Sequence, residues 1–279
     1  MPCAPRWIAP FPSCFSIREL TVKGMFLRKP PLRRFCVVVF AAVVCGLAAQ
    51  RGLRYASRVN AQPPSEKRDE AAAARVLPEL KKALEAKGLQ VGAPVFIRIF
   101  KEERQLELWL RKDDGTYALF RTYPIAAMSG ELGPKLAEGD NQAPEGFYDV
   151  PPAAMKADST FHLAFNLGYP NAYDRAHGRT GSFLMVHGNE VSIGCYAMTD
   201  EKIEEIYTLC DLALKNGQSS FRVHAFPFRM TDKRMAAAAG NKWEDFWKNL
   251  KEGYDLFERG KTPPEVKVSD GRYVFQAAK

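Results

Sequence analysis

From Pro94 onward the apolar residues change their spacing from helical to every second position, and a chain with that pattern has to place strands in a sheet. Val95 to Phe100, Leu106 to Leu110 and Tyr117 to Tyr123 are the three runs, separated by Lys101 to Gln105 and by Asp113-Asp114-Gly115. Connections this short join antiparallel neighbours, so the runs predict a meander. Gly146 to Val150, Ser182 to Val186 and Phe221 to Phe226 read as further strands, the second a buried run ending at His187-Gly188. Helical spacing appears elsewhere. Glu66 to Lys87 is rich in Ala, Leu, Lys and Glu, stops at Gly88 and carries a kink signal at Pro78. Lys202 to Lys215 follows a cap at Thr199 and an acidic first turn at Asp200-Glu201. Thr231 to Arg259 carries Trp243, Phe246, Trp247, Leu250, Tyr254 and Phe257 at three- and four-residue spacing, a stripe expected to dock on the domain. A hairpin around Asp270-Gly271 ends the pattern. The class expected is α+β and β-rich, with helices flanking it on both sides.

The formal charge of +8 is misleading, because its excess is local. Seven of the 40 Lys/Arg but one of the 32 Asp/Glu lie in residues 1–49, so the remainder is nearly balanced at 33 against 31. A balanced body has no basic stripe to displace phosphate counterions, which excludes nucleic acid as a partner. Basic residues Arg28 to Arg34 precede the apolar run Phe35 to Ala49, the order of an export signal, with Met25 as the expected natural start. Cleavage before Ala49 and retention as an N-terminal membrane anchor both fit; either way the expected location is the periplasm or cell envelope.

Four of the six cysteines lie in residues 1–49, leaving Cys195 and Cys210. Cys210 falls on the apolar stripe Ile203, Ile206, Cys210, Leu214 and reads as a packing residue, so no bridge to Cys195 is expected. Residues 129–148 hold several glycines, but no helix follows them, so they read as turns and not as a phosphate loop. No ligand pair such as C-x-x-C or H-x-x-x-H occurs beyond residue 49, and neither metal nor cofactor is expected. His162 and His224 read as surface or core-edge residues. The informative stretch is Phe183 to Asp200, where His187 closes an apolar strand and Cys195 follows after seven loop residues. Acyl transfer by a thiol needs a sulfur nucleophile, an imidazole in reach and backbone N–H donors for the oxyanion. Ser192, Gly194 and Cys195 offer those N–H groups, and the helix starting near Thr199 is expected to lower the thiol pKa.

Met185-Val186-His187-Gly188 with Ser192-Ile193-Gly194-Cys195 resembles the signature of the YkuD-type L,D-transpeptidases, nearest to their YafK-like branch. Ala143 to Tyr148, Phe165 to Arg175 and Ala176 to Gly181 extend the resemblance across roughly 94–227. It implies a YkuD-type catalytic domain over 94–227, after a signal or anchor (1–49) and a linker with a helix (50–93), and before an aromatic helix and hairpin (228–279). It implies Cys195 as nucleophile, acylated by the diaminopimelate carbonyl of a peptidoglycan stem peptide, with His187 as proton donor and acceptor and Ser192 and Gly194 at the oxyanion. Arg175, Tyr173, His177, Asn166 and Gly188 are the implied substrate contacts. The common family box has a polar residue where Ile193 stands and an Arg where Ala197 stands. Members of the YafK-like branch are similar to enzymes that release a lipoprotein by hydrolysis. Three outcomes therefore stand open: a transpeptidase, a hydrolase working through the same acyl-enzyme with a peptidoglycan-linked lipoprotein as partner, and a binding module without turnover.

Overall fold

The computed structural model describes residues 67–277; the expected export segment and natural start fall outside them. Helix α1 (Arg68–Glu85) leads into β1 (Val95–Phe100), β2 (Gln105–Arg111) and β3 (Tyr117–Pro124). Then come β4 (Gly146–Val150), β5 (Met155–Lys156), β6 (Ala164–Asn166), α2 (Ala172–Ala176), β7 (Met185–His187) and β8 (Tyr196–Ala197). Helix α3 (Asp200–Lys215), β9 (Phe221–Phe226), α4 (Asp232–Ala237), α5 (Glu244–Gly260) and the hairpin β10 (Glu265–Ser269) and β11 (Arg272–Gln276) complete the order. The expected meander is present, and the class is α+β. Pro78 sits inside an unbroken α1.

Three sheets result. The largest has the order β3-β2-β1-β9-β4, with β9 parallel to β1 and antiparallel to β4. The second, β5-β6-β7-β8, carries the His187 and Cys195 segment. The third is the C-terminal hairpin. The main core joins α1 (Ala72, Leu80, Leu84) and α3 (Ile203, Ile206, Cys210) to the inward faces of the strands. A second core gathers Phe100, Phe147, Phe226 and Tyr273 around the aromatic face of α5, so the stripe docks as expected.

Four readings need correction. The helical pattern from Thr231 to Arg259 forms two helices, because Gly240 adopts φ 78° and the α5 backbone restarts from a turn at Asn241. The apolar run at Ser182 is not a strand before Met185, since Phe183 turns to φ 53° and stands 70% exposed. Thr199 makes no side-chain cap, because φ 74° takes it out of the extended conformation that capping uses. His162 and His224 are buried, the first against Glu204 at 2.7 Å and the second among Phe96, Phe147 and Phe226.

One polar node joins the sheets to the C-terminal helix. The Lys101 ammonium, 1% exposed, donates to the carbonyls of Glu131, Gly133 and Ala143 at 2.8–3.0 Å and pairs with Glu145 at 3.0 Å. Glu145 also accepts from Gly133 N–H and from Trp247 Nε1 of α5. Removing one partner of a buried pair leaves the other charge without compensation. Glu145→Gln is expected to lower unfolding stability by about 3–5 kcal/mol in urea titrations. The double variant Lys101→Met/Glu145→Leu should lose less than the single one.

Candidate active site

The register of the second sheet brings His187 and Cys195 together. Strands β7 and β8 pair in parallel, Val186 with Tyr196 and His187 with Ala197. One step back along that register, Cys195 lies opposite Met185, whose N–H points at Sγ from 3.4 Å. His187 is two residues beyond Met185, so imidazole and thiol share one face of the sheet on neighbouring strands. No hydrogen bond joins the two side chains here: Sγ is engaged by Met185 N–H and the Phe183 carbonyl, and the imidazole by the Gly188 carbonyl.

Each group has a defined protonation state. His187 Nδ1 sits 2.5 Å from the Gly188 carbonyl oxygen. A carbonyl only accepts, so Nδ1 carries the proton and Nε2 keeps its lone pair. Burial pushes the imidazole pKa below its ordinary value, against the Gly188 hydrogen bond, which raises it. Burial also pushes the Cys195 thiol up, opposed by the Met185 N–H and the positive charge of Lys135. The thiol donates to the Phe183 carbonyl at 3.5 Å. The start of α3 is not among the causes that act on the thiol, and desolvation, the largest of them, works against the lowering that the sequence suggested. Both Cys195 and Cys210 are free thiols, and Cys210 is fully buried.

The loop between them is shaped by its glycines. Gly194 has φ 114°, a conformation that L side chains rarely adopt, so a substitution there strains the approach to the sulfur. Gly188 is buried, and a Cβ there would meet the Asp200 carboxylate at 2.6 Å and the Phe161 carbonyl at 2.9 Å. Ser192 Oγ donates to the Cys195 carbonyl at 2.7 Å. Among the described residues the backbone N–H groups of Ser192, Gly194 and Cys195 have no hydrogen-bond partner, which leaves three free donors in the turn that ends at Cys195.

The remaining sequence-derived candidates separate into two places. Asn166 pairs with Met185, one strand over from Cys195, and its side chain accepts from Gly168 N–H. Tyr173, Arg175 and His177 belong to α2 and its end. Tyr173 stacks on His177 and on Tyr273 at 4.1 and 4.3 Å, so its ring serves packing. Arg175 is exposed, with its guanidinium on the Pro170 carbonyl, and lines a cavity of about 300 Å³ with Asn171, Arg222 and Tyr273. Sequence reasoning missed Lys135, which is buried, paired with Asp140 and electrostatically coupled to Cys195. Its only signal was a cation inside a glycine-rich loop. Among the described residues no group of three or more His, Cys, Asp or Glu is arranged to hold a metal.

Residues 94–253 match the L,D-transpeptidase catalytic domain, YkuD. A protein of Escherichia coli named YafK, provisionally assigned as an L,D-transpeptidase, is 50% identical over 184 residues, covering 66% of this chain and 74% of that protein. The helical cell shape determining protein Pgp2 from Campylobacter jejuni is similar at 20% identity and TM-score 0.36, over 68% of this chain and 80% of its own. Bd1075 of Bdellovibrio bacteriovorus matches at 18% and 0.35, over 64% and 78%.

A neutral thiol alkylates slowly until pH approaches its raised pKa. The rate of Cys195 modification by iodoacetamide is expected to climb through and above the ordinary thiol range, without a thiolate plateau near pH 6–7. Lys135→Met removes a charge that favours thiolate and should shift that climb to still higher pH, as followed by mass spectrometry of the modified chain.

Proposed function

The chain belongs to the YkuD family of L,D-transpeptidase catalytic domains, and from that premise we propose that it is a cell-envelope enzyme acting on peptidoglycan stem peptides by cysteine acyl transfer. The observation that carries this reading is the β7–β8 register, which sets a lone-pair-bearing imidazole nitrogen and a thiol on one sheet face beside three unpaired N–H donors. In the proposed cycle His187 Nε2 takes the thiol proton as Sγ attacks the diaminopimelate carbonyl. The N–H groups of Ser192, Gly194 and Cys195 stabilise the oxyanion. Collapse expels the terminal residue as an amine, which takes the proton back from His187 and leaves a thioester. An incoming amine or water then loses its proton to His187, and the sulfur departs reprotonated. No cofactor enters.

For substrate contact we propose Asn166, in the same cross-strand row as Cys195 with Met185 between them, and the exposed Arg175, whose fork suits a stem-peptide carboxylate. Tyr173, His177 and Gly188 would act by shaping the walls. Residues 1–49 are proposed to deliver or anchor the chain in the envelope, ahead of a linker and helix (50–93), a catalytic domain (94–227) and a C-terminal extension (228–279). No described helix is long and apolar enough to cross a membrane.

A second reading, hydrolytic release of a protein attached to diaminopimelate, is favoured by the rim of the site. Of the six exposed large apolar side chains among the described residues, Phe183, Val191 and Ile193 lie in the 183–195 segment, Phe161 packs on His187 and Leu136 follows Lys135. Muropeptides are polar and gain little from an apolar rim, whereas an attached protein brings apolar surface of its own. Ala197 leaves no guanidinium near the thioester for an acceptor carboxylate, and water needs none. A binding module without turnover has no use for the paired thiol and imidazole.

Cys195→Ser is expected to abolish turnover with an unchanged circular dichroism spectrum, and His187→Gln to lower it by roughly 10²- to 10⁴-fold. Products from disaccharide tetrapeptide and from lipoprotein-linked muropeptide separate the two readings. Diaminopimelate-to-diaminopimelate dimers mark the transferase; free tripeptide marks the hydrolase.

A further inference from the structure

Helix α1 precedes the residues that match the catalytic domain, yet one of its arginines reaches the segment beside the imidazole and a second holds the α3 carboxylate to which that segment is bonded. Arg68 Nη1 donates to the carbonyls of Ser159 and His162, each at 2.6 Å. Arg75 holds Glu204 of α3 through Nε and Nη2 at 3.1 and 2.5 Å. The same carboxylate takes His162 Nε2 at 2.7 Å. His162 therefore hangs between two helices, in a backbone conformation (φ 66°) that few residues adopt unaided.

What this holds in place is Phe161. Its ring lies 4.8 Å from the His187 ring at an interplanar angle of 33°. The Phe161 carbonyl and the His162 Cβ leave no room for a side chain at Gly188, whose carbonyl orients the imidazole. On the other edge Gly188 N–H donates to Leu163 O at 3.0 Å. The segment thus shields one face of the base and fixes the carbonyl that sets its tautomer.

We propose that α1 is a positioning element of the active site: through Arg68, Arg75 and the His162–Glu204 pair it clamps Phe161 over His187, keeping the imidazole desolvated and its Nδ1 on the Gly188 carbonyl. The proposal rests on His187 being the base, but its physical content, a shielded imidazole, is measurable without turnover. Titratable groups around the clamp are Cys195 beside β8, Asp200 against Gly188, and the His162–Glu204 pair itself.

The experiment is a side-chain NMR titration of His187 in the full chain, for wild type, Arg68→Gln/Arg75→Gln and Phe161→Leu, with kcat/KM against pH measured in parallel. Arg68 is only partly buried and Arg75 is exposed, so their loss spares the core; Phe161→Leu tests the clamp without touching α1. The expected result is a midpoint that rises toward the ordinary imidazole value in both variants, an acid limb of the rate profile that moves with it, and about a tenfold fall in kcat/KM. The thermal midpoint of Phe161→Leu should stay close to wild type. A His187 titration identical in all three proteins overturns the clamp, whatever the rates do. Full turnover by Cys195→Ser would instead overturn the thiol mechanism and leave the titration result standing.

Discussion

The ion pair between Lys101 and Glu145 is the constraint that the site depends on. Two charges 3.0 Å apart with almost no exposure are stable only when every remaining donor and acceptor is also engaged. Here the ammonium has three carbonyl partners besides the carboxylate, and the carboxylate has a backbone N–H and an indole. Burial alone drives the Lys101 pKa down, and Glu145 is the first group opposing that drive. Satisfying this node fixes the path of residues 129–145, because Glu131, Gly133 and Ala143 all point their carbonyls at one nitrogen. That path then brings Lys135 and the backbone of Asn141 and Gln142 against the Gly194-Cys195 turn. A loop with many glycines becomes a rigid wall of the site.

Much of this architecture was legible from periodicity. The meander, α3 and the tail hairpin each have one clear apolar period, and each formed within a residue or two of its expected bounds. The short elements that build the site did not show in that way. Strand β8 is two residues long, too short for any period, and exists because β7 and the Ala127 backbone hold it from both sides. Phe183 looked like core because its neighbours are apolar, but its positive φ turns it outward. Lys101 read as a turn residue, and His162 as an edge residue. Their burial depends on Glu145 and Glu204, which lie 44 and 42 positions away in the chain. Local patterns carry no information about such partners.

The proposed nucleophile and base stood out in the sequence because that chemistry is carried by a compact signature, and the β7–β8 register puts Cys195 and His187 on one face. Their protonation was not identifiable in that way. A helix start nearby suggested a stabilised thiolate, yet Asp200 in its first turn places a carboxylate there and donates nothing; its oxygen accepts from Asn189 N–H. The fixed positive character near the sulfur comes from Met185 N–H and Lys135 instead, and both are outweighed by the loss of water.

That balance bears on how the pair works. Desolvation opposes thiolate and imidazolium alike, so an ion pair formed before substrate arrives would carry two uncompensated desolvation costs. Proton transfer coupled to attack avoids this. In the proposed cycle the charge on the substrate oxygen would be met by the unpaired N–H groups of the 192–195 turn, while the imidazolium would keep the Gly188 carbonyl at its Nδ1. A substrate seated against the Phe161 face and the apolar rim would displace water from the intervening space, which would strengthen both interactions. A site built this way is quiet when empty. It becomes polar only in the state that it has to stabilise.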